Sequence, residues 1–218
     1  MTDKEVLSKQ QDHWVKTFAS KPDMFGTMPS DAAQKAAALF LKEGKTEILE
    51  LGCGQGRDTF FFAESGFQVH ALDYCKSGLD ALGEKAETTG FTGVINPVCH
   101  DIRRPLPFAG NTFDGCFSHM LYCMALTTKE LKFLSGEIRR VLKPGGLNVF
   151  TARNTSDAHY GAGIHRGENM YEMGGFIVHY LSKDKIEELA DGFEIIGINE
   201  FEEGELPKKL FRVTMRKK

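Results

Sequence analysis

Three glycines at alternate positions, Gly52, Gly54 and Gly56, follow a short apolar segment at residues 46–51. Because glycine has no Cβ, such a turn lets the backbone approach a bound ligand closely. Glu50 precedes the first glycine, and Asp73 ends the next apolar segment, 17 residues after Gly56. A carboxylate at that second position can accept two hydrogen bonds from a ribose diol. The spacing therefore indicates a site for a nucleoside or a nucleotide.

The residues after the turn favour one of two such ligands. A dinucleotide site has the pattern GxGxxG, but Arg57 stands where the third glycine is expected, and that glycine falls one residue early. Asp58 opens the following predicted helix, where its charge would repel a pyrophosphate docked at the helix N-terminus. S-adenosylmethionine contains ribose and adenine but no phosphate, so the pattern favours it. An NAD-dependent oxidoreductase is the less favoured alternative.

The elements that must position these residues alternate between helix and strand. Helices are predicted at 3–19, 31–43, 57–65, 77–89, 128–142 and 183–191, and strands at 46–51, 67–73, 93–99, 113–118, 147–152, 193–200 and 210–216. This alternation predicts an α/β fold: a doubly wound, Rossmann-like, seven-stranded, mostly parallel sheet with helices on both faces. The short link between the last two strands predicts an antiparallel last strand.

The order of elements predicts a single domain over residues 1–218. Residues 1–45 are expected to form a helical lid, and residues 46–152 the core that binds the cofactor. Residues 153–181 are predicted to be irregular because they are rich in glycine, and an insert of this size is usually functional or disordered. We expect the insert to cap the substrate side, with a plain surface loop as the alternative. Residues 182–218 supply a closing helix and a strand pair.

Composition excludes several classes of protein. Hydrophobic residues make up 41% and charged residues 26%, as in globular proteins. The longest apolar run, Met120–Leu126, has seven residues, whereas a membrane helix needs ~20, and the N-terminal segment does not resemble a secretory signal. A net charge of −3 gives no basic face for nucleic acid. Five cysteines without a CxxC pair predict reduced thiols, a cytoplasmic protein and no metal site.

Further motifs follow the glycine turn in a characteristic order. They are segment 48–56, His100-Asp101-Ile102, Pro107-Phe108 with Phe113-Asp114, and segment 140–146 (RVLKPGG). Together they resemble the class I S-adenosylmethionine-dependent methyltransferases, and the resemblance covers residues 46–152. Within that superfamily, segment 54–74 and the N-terminal region look most like the tellurite-resistance-type, small-molecule methyltransferases.

The resemblance implies a set of contacts with S-adenosylmethionine. The residues expected on its methionine and ribose side are Glu50, Gly52, Cys53, Gly54 and Gly56. The other implied contacts are Asp73 with the ribose hydroxyls, Tyr74 and Ile102 beside adenine, Asp101 with the adenine amine, and Ser118 and His119 near the methionine moiety. Trp14 and Phe25 are expected to close over the cofactor, although a lone Trp on an amphipathic helix also suits a hydrophobic core.

The resemblance also implies in-line methyl transfer, in which the cofactor supplies the chemistry. The predicted fourth strand runs into Ser118-His119-Met120-Leu121, not the Asn/Asp-Pro-Pro-Tyr motif of enzymes that methylate bases or glutamine. A small-molecule acceptor is therefore expected, by family likeness a thiol or a chalcogen nucleophile. A general base is needed only if the acceptor arrives protonated, and the candidates are His119, Tyr160 and His159, in that order. A non-catalytic S-adenosylmethionine-binding protein is the alternative.

Overall fold

The structure is a computed structural model, and it describes residues 6–7, 9–21, 24–204 and 208–218. The helices are α1 (Gln10–Ser20), α2 (Asp31–Lys42), α3 (Arg57–Glu64), α4 (Lys76–Thr89), α5 (Thr128–Val141) and α6 (Lys183–Leu189). The strands are β1 (Glu47–Leu51), β2 (Gln68–Asp73), β3 (Ile95–Cys99), β4 (Phe113–Ser118), β5 (Leu142–Arg153), β6 (Ile164–His165), β7 (Met170–Met173), β8 (Phe176–His179), β9 (Phe193–Glu203) and β10 (Lys208–Lys217).

The main sheet has seven strands among the described residues, in the order β3-β2-β1-β4-β5-β10-β9. Neighbouring strands from β3 to β5 pair in parallel, whereas β10 is antiparallel to both β5 and β9. The predicted fold, with its antiparallel last strand, is confirmed. The strand order reverses between β1 and β4, and ligands of such sheets bind beyond the carboxyl ends of the strands at this point.

Helix starts lie where the sequence predicts caps. The side chain of Ser30 accepts the N–H of Ala33 at the start of α2, and Ser182 caps α6 in the same way. Thr127 and Glu130 form a reciprocal capping box at the start of α5. The predicted helix at 3–19 falls partly outside the described residues, and α1 covers its second half and ends one residue later.

The prediction that residues 153–181 are irregular is wrong for about a third of the segment. Strands β6, β7 and β8 form a second, antiparallel sheet of three strands. Gly174 and Gly175 connect β7 to β8, and both have positive φ angles, 57° and 85°. Two residues with positive φ make the tight turn that suits the twist of a hairpin. The glycines therefore organise this insert rather than loosen it.

Strand β5 also begins earlier than the predicted residue 147. Phe113 of β4 pairs with Leu142, and Gly115 pairs with Leu147. One residue of β4 thus faces four residues of β5, so the predicted turn at Lys143–Gly146 is a bulge inside the strand.

Helices cover both faces of the sheet. On one face α5 buries Leu131, Leu134 and Ile138, and on the other α2 and α3 bury Phe40 and Phe62. Burial of these side chains fixes the helices against the sheet and so fixes the loops at its carboxyl edge. Within the described ranges, none of the helices has the length and apolar character needed to cross a membrane.

Candidate functional site

A cavity of about 680 Å³ lies beyond the carboxyl ends of β1, β2, β4 and β5, where the strand order reverses. The glycine turn and the segment after β4 form its walls, and α1 and the insert sheet close over it. The predicted site residues that line it are Trp14, Phe25, Glu50, Gly52, Cys53, Gly54, Asp73, Tyr74, His119 and His159. The fold therefore brings most of the predicted site together.

The glycine turn has a backbone conformation that only glycine adopts easily. Gly52, Gly54 and Gly56 have φ angles of 71°, 57° and 85°. Gly56 does not line the cavity; a Cβ there would lie 2.6 Å from Cδ1 of Leu82 on α4. A Cβ on Gly78, a residue that the sequence analysis missed, would lie 2.9 Å from the carbonyl oxygen of Gly54. The glycines thus combine an open turn with close packing of α4 beneath it.

Asp73 is buried and holds the turn in place. One carboxylate oxygen accepts the N–H of Gly54 at 2.9 Å, and the other accepts the N–H of Cys75 at 2.8 Å. Burial raises the pKa of Asp73 despite these two backbone donors. Asp73 lines the cavity, and a carboxylate can accept about four hydrogen bonds, so it has capacity for a donor from a ligand. This arrangement is compatible with the predicted ribose contact, which stays a prediction, as does the contact of the neighbouring Tyr74 with adenine.

Glu50 is a buried acid in the cavity wall. It forms no ion pair with a cationic side chain in the described part of the chain, and the hydroxyl of Thr59 donates to its Oε2 at 2.5 Å. Burial, together with the charge of Asp58, raises the pKa of Glu50 to about 8. A buried carboxyl group without a cationic partner is suited to the ammonium group of a ligand, because a charge of opposite sign would favour its ionised form.

Asp58 links α3 to α2. Its carboxylate accepts the N–H and the hydroxyl of Ser30, both at 2.8 Å, and the guanidinium group of Arg57 at 3.0 Å. Burial opposes ionisation, but Arg57 and the backbone of Ser30 lower the pKa of Asp58 overall. The ionised acid lies at the start of α3, as the sequence predicts, and this position disfavours a ligand phosphate.

His119 lies just after β4, and each of its ring nitrogens contacts a polar side chain of another strand. Its Nε2 is 3.2 Å from Oε2 of Glu203 on β9, and its Nδ1 is 3.0 Å from the hydroxyl of Thr151 on β5. His119 lowers the pKa of Glu203, which therefore accepts the Nε2–H. The hydroxyl of Thr151 accepts the N–H of Met120 at 2.9 Å and can donate to Nδ1. The positive φ of Met120, 63°, turns the chain at this point.

Arg153, at the end of β5, is only 8% exposed. Its guanidinium group donates to Asp157 and, at 2.9 Å, to Nδ1 of His159. Nδ1 is thus an acceptor, so neutral His159 carries its proton on Nε2 and offers a donor to the cavity. His159 is poorly suited to act as a base in this arrangement.

The cover over the cavity is aromatic. The ring of Trp14 lies 5.5 Å from Phe18, 6.5 Å from Phe25 and 5.0 Å from Phe176 of the insert, measured between ring centroids. Phe25 is 49% exposed, at the rim. Trp14 therefore packs within an aromatic cluster and also forms part of the cavity wall.

Two glutamine side chains hold α1 over the cavity. Gln55, within the glycine turn, accepts the N–H of Met24 and donates to the carbonyl oxygen of Lys21, both at 3.1 Å. The side chain of Gln10 makes two hydrogen bonds with the backbone of the hairpin between β7 and β8. Its nitrogen donates to the carbonyl oxygen of Gly175 at 2.9 Å, and its oxygen accepts the N–H of Ile177 at 3.1 Å. Helix α1 is thus tied to the glycine turn near one end and to the insert near the other.

Several predicted residues do not line the cavity. The carboxylate of Asp101 accepts from the guanidinium group of Arg103 at 2.7 to 3.1 Å, and Ile102 packs in the core. Ser118 is fully buried, and its hydroxyl has no hydrogen-bond partner in the described part of the chain. The hydroxyl of Tyr160 donates to Asn169, outside the cavity. The roles of these four residues remain untested predictions.

Other residues at the site were missed by sequence reasoning: Gln55, Thr151, Arg153 and Glu203. For Gln55 the signal was its place between two glycines of the turn. The other three are recognisable only once the sheet places β5 and β9 beside β4. Among the described residues, no three His, Cys, Asp or Glu side chains come together as a group that could hold a metal ion.

Comparison with known proteins supports the superfamily. Residues 48–146 match a family described as a methyltransferase domain. The 24-methylenesterol C-methyltransferase 3 of Arabidopsis thaliana is 30% identical over 141 residues, which cover 62% of this chain and 38% of that relative. The chain spans about half, or less, of the length of the curated sterol methyltransferases that it matches.

Solved structures share the fold over most of the chain. The 1,6-didemethyltoxoflavin-N1-methyltransferase of Burkholderia thailandensis, crystallised with 1,6-didemethyltoxoflavin and S-adenosylhomocysteine, has a TM-score of 0.79 at 17% identity, covering 100% of this chain and 91% of that one. TehB from Haemophilus influenzae has a TM-score of 0.69 at 18% identity, covering 94% and 67%. The finer resemblance to the tellurite-resistance type stays a prediction. Residues 48–146 thus resemble a methyltransferase domain, and most of the chain shares the fold of these two solved structures.

Proposed function

We propose that the protein transfers a methyl group from S-adenosylmethionine to a small-molecule acceptor. The observation that carries this proposal is the continuity of one cavity, which joins the glycine turn and its acids to the His119–Glu203 pair. A binding site for the cofactor alone would not need the cavity to continue to a histidine–carboxylate pair. The proposal does not take its acceptor from the relatives, because the substrates in their names are known only for those proteins.

The residues of the turn fit the cofactor. The open backbone at Gly52 and Gly54 can approach the methionine and ribose, and Asp73 retains lone pairs for the ribose hydroxyls. The buried Glu50 has no cationic partner close to it among the described residues, and the amino group of the methionine moiety would supply one. The phosphate-free ligand is also compatible with the ionised Asp58. Adenine would then lie beside Tyr74, whereas Asp101 would have to release Arg103 to reach its amine.

When bound, S-adenosylmethionine supplies a methyl group activated by its sulfonium. The protein then has to orient the acceptor and exclude water, which is the work of the lid and the insert. If the acceptor carries a proton, the free carboxylate oxygen of Glu203 can accept its hydrogen bond. The same oxygen can take the proton as the methyl group is transferred, while the Nε2–H of His119 stays hydrogen-bonded to the other carboxylate oxygen and the hydroxyl of Thr151 can donate to Nδ1. Thr151 and His119 thus act as positioning residues for Glu203.

The acceptor is proposed as a small molecule because the cavity of about 680 Å³ is within the range of small-ligand sites and is covered on two sides. A thiol or a chalcogen nucleophile remains our expectation from the family likeness. Cytoplasmic localisation and the absence of nucleic-acid and membrane partners also remain expectations from the sequence.

The test is the formation of S-adenosylhomocysteine from S-adenosylmethionine with a panel of thiols, selenols, amines and phenols. We expect one class of acceptor to give turnover above the rate without acceptor. Tight cofactor binding with no turnover on any acceptor would favour the non-catalytic alternative, and binding of NAD in place of S-adenosylmethionine would contradict the proposal.

A further inference from the structure

The end of the cavity opposite the glycine turn contains a buried arginine that is only partly used. Nε and one terminal nitrogen of Arg153 donate to Asp157, and the same terminal nitrogen donates to His159. The other terminal nitrogen has no hydrogen-bond partner within the described ranges. Arg153 is 8% exposed and lines the cavity. Three of the five N–H groups of the guanidinium are used in this way, so the two N–H groups of the other terminal nitrogen remain for a ligand.

The acid that neutralises Arg153 is turned away from the ligand. Asp157 does not line the cavity, and its side chain is fully buried. Its oxygens also accept the backbone N–H groups of His159 at 2.9 Å and Lys209 at 2.8 Å. Asp157 therefore fixes the guanidinium group from behind, with its own negative charge spread over four donors. A ligand in the cavity meets the cation and not its counter-ion.

Two further donors lie at the same end. Neutral His159 offers its Nε2–H, because Nδ1 accepts from Arg153. Lys208, at the start of β10, also lines the cavity and forms no ion pair in the described part of the chain. The walls between these groups and the lid are aromatic, from Tyr171, Tyr180 and Phe176. We call Arg153, His159 and Lys208 the donor cluster.

We propose that the donor cluster is an anion subsite, so that the methyl acceptor has an aromatic or apolar body and carries a carboxylate or a phosphate. This inference rests on the proposed function of the cavity, because it names the substrate class for the same site. Glu203 lies opposite Lys208 across β9 and β10 but is engaged by His119. The acceptor would thus direct its protonated nucleophile toward Glu203 and its anionic group toward Arg153, which fixes its orientation for methyl transfer.

The experiment measures binding by calorimetry to the full chain loaded with S-adenosylhomocysteine. The probes are phenylacetate and phenyl phosphate, with phenylacetamide as the neutral match of the first. A hydrogen bond to a charged group corresponds to about 10- to 100-fold in affinity, so we expect at least one anion to bind roughly tenfold more tightly than the amide. Comparison of the two anions distinguishes carboxylate from phosphate recognition.

Variants locate the effect. Lys208→Met, at an exposed position, should weaken the preferred anion several-fold and leave the amide unchanged, and Arg153→Met should remove the preference. Arg153→Lys keeps a cation beside Asp157, so it tests whether a loss of binding in Arg153→Met reflects unfolding. The matched control is Lys129→Met, at an exposed position on α5. Equal binding of anion and amide, no binding of either anion, or an unchanged preference in Lys208→Met and both Arg153 variants would overturn the inference. Loss of S-adenosylhomocysteine binding by the unmodified protein would instead overturn the proposed function.

Discussion

Replacing Glu50 by glutamine should make the ligand-free protein less sensitive to rising pH. The pKa of Glu50 is raised from its ordinary value of 4.5 to about 8 by burial and by the charge of Asp58. The folded state therefore holds the proton more tightly than the unfolded chain does. As the pH rises through this window, the unfolded chain releases its proton first, and the folded state loses stability.

The size of the effect follows from the two pKa values. Each pH unit between about 4.5 and 8 costs up to ~1.4 kcal/mol, which gives roughly 5 kcal/mol in total for an ideal two-state group. Below pH 4.5 the carboxyl group is protonated in both states and contributes no pH dependence. A glutamine has nearly the same shape, can accept from the hydroxyl of Thr59 and does not titrate.

The assay is urea unfolding of the unmodified protein and the Glu50→Gln variant at pH 5, 6, 7 and 8, without ligand. As the pH rises, the free energy of unfolding of the unmodified protein should fall relative to that of the Glu50→Gln variant. Titrating groups remote from Glu50 contribute equally to both proteins, so they cancel in this difference. The matched control is Glu87→Gln, an exposed position on α4, which should leave the difference flat. A flat difference for Glu50→Gln as well would refute the assignment of a protonated, buried acid.

Three further substitutions test the turn, the lid and the base. Gly56→Ala should destabilise the fold by roughly 1–3 kcal/mol in thermal unfolding, because of its φ of 85°, while Gly83→Ala, in an open position on α4, should stabilise it by about 0.5–1 kcal/mol. Gln55→Ala should release the lid, which faster dissociation of S-adenosylhomocysteine and a changed fluorescence of the single Trp14 would report. His119→Gln should lower kcat by about 10²–10⁴-fold with a protonated acceptor; unchanged kcat would exclude a role of the His119–Glu203 pair in taking the proton.

Local sequence pattern was sufficient for the turn and for most helix ends. The positive φ angles of Gly52, Gly54 and Gly56 and the capping box at Thr127 depend on residues close together in the chain. The sequence pattern also predicts that Glu50 and Asp73 lie at the same edge of the sheet, because neighbouring parallel strands end at the same edge.

Partners from distant strands could not be predicted in this way. Thr151 and Glu203 reach His119 only because β5 and β9 share the sheet with β4, and no spacing in the sequence specifies that contact. Asp101 was assigned to adenine, but Arg103, two residues away, competes for the same carboxylate.

The insert shows a different reason for failure. Two short, mostly apolar segments, residues 170–173 and 176–179, flank the pair Gly174-Gly175, but the number of glycines in the whole segment favoured an irregular loop. The hairpin formed because two adjacent glycines can both adopt positive φ.

The central claim is that the glycine turn binds S-adenosylmethionine, and thermal unfolding with matched ligands tests it most directly. A ligand at 100 times its dissociation constant adds ~2.7 kcal/mol, which should raise the Tm of a domain of this size by roughly 5–10 °C. We predict this rise with S-adenosylmethionine and S-adenosylhomocysteine and none with NAD. A rise with NAD alone would contradict the account.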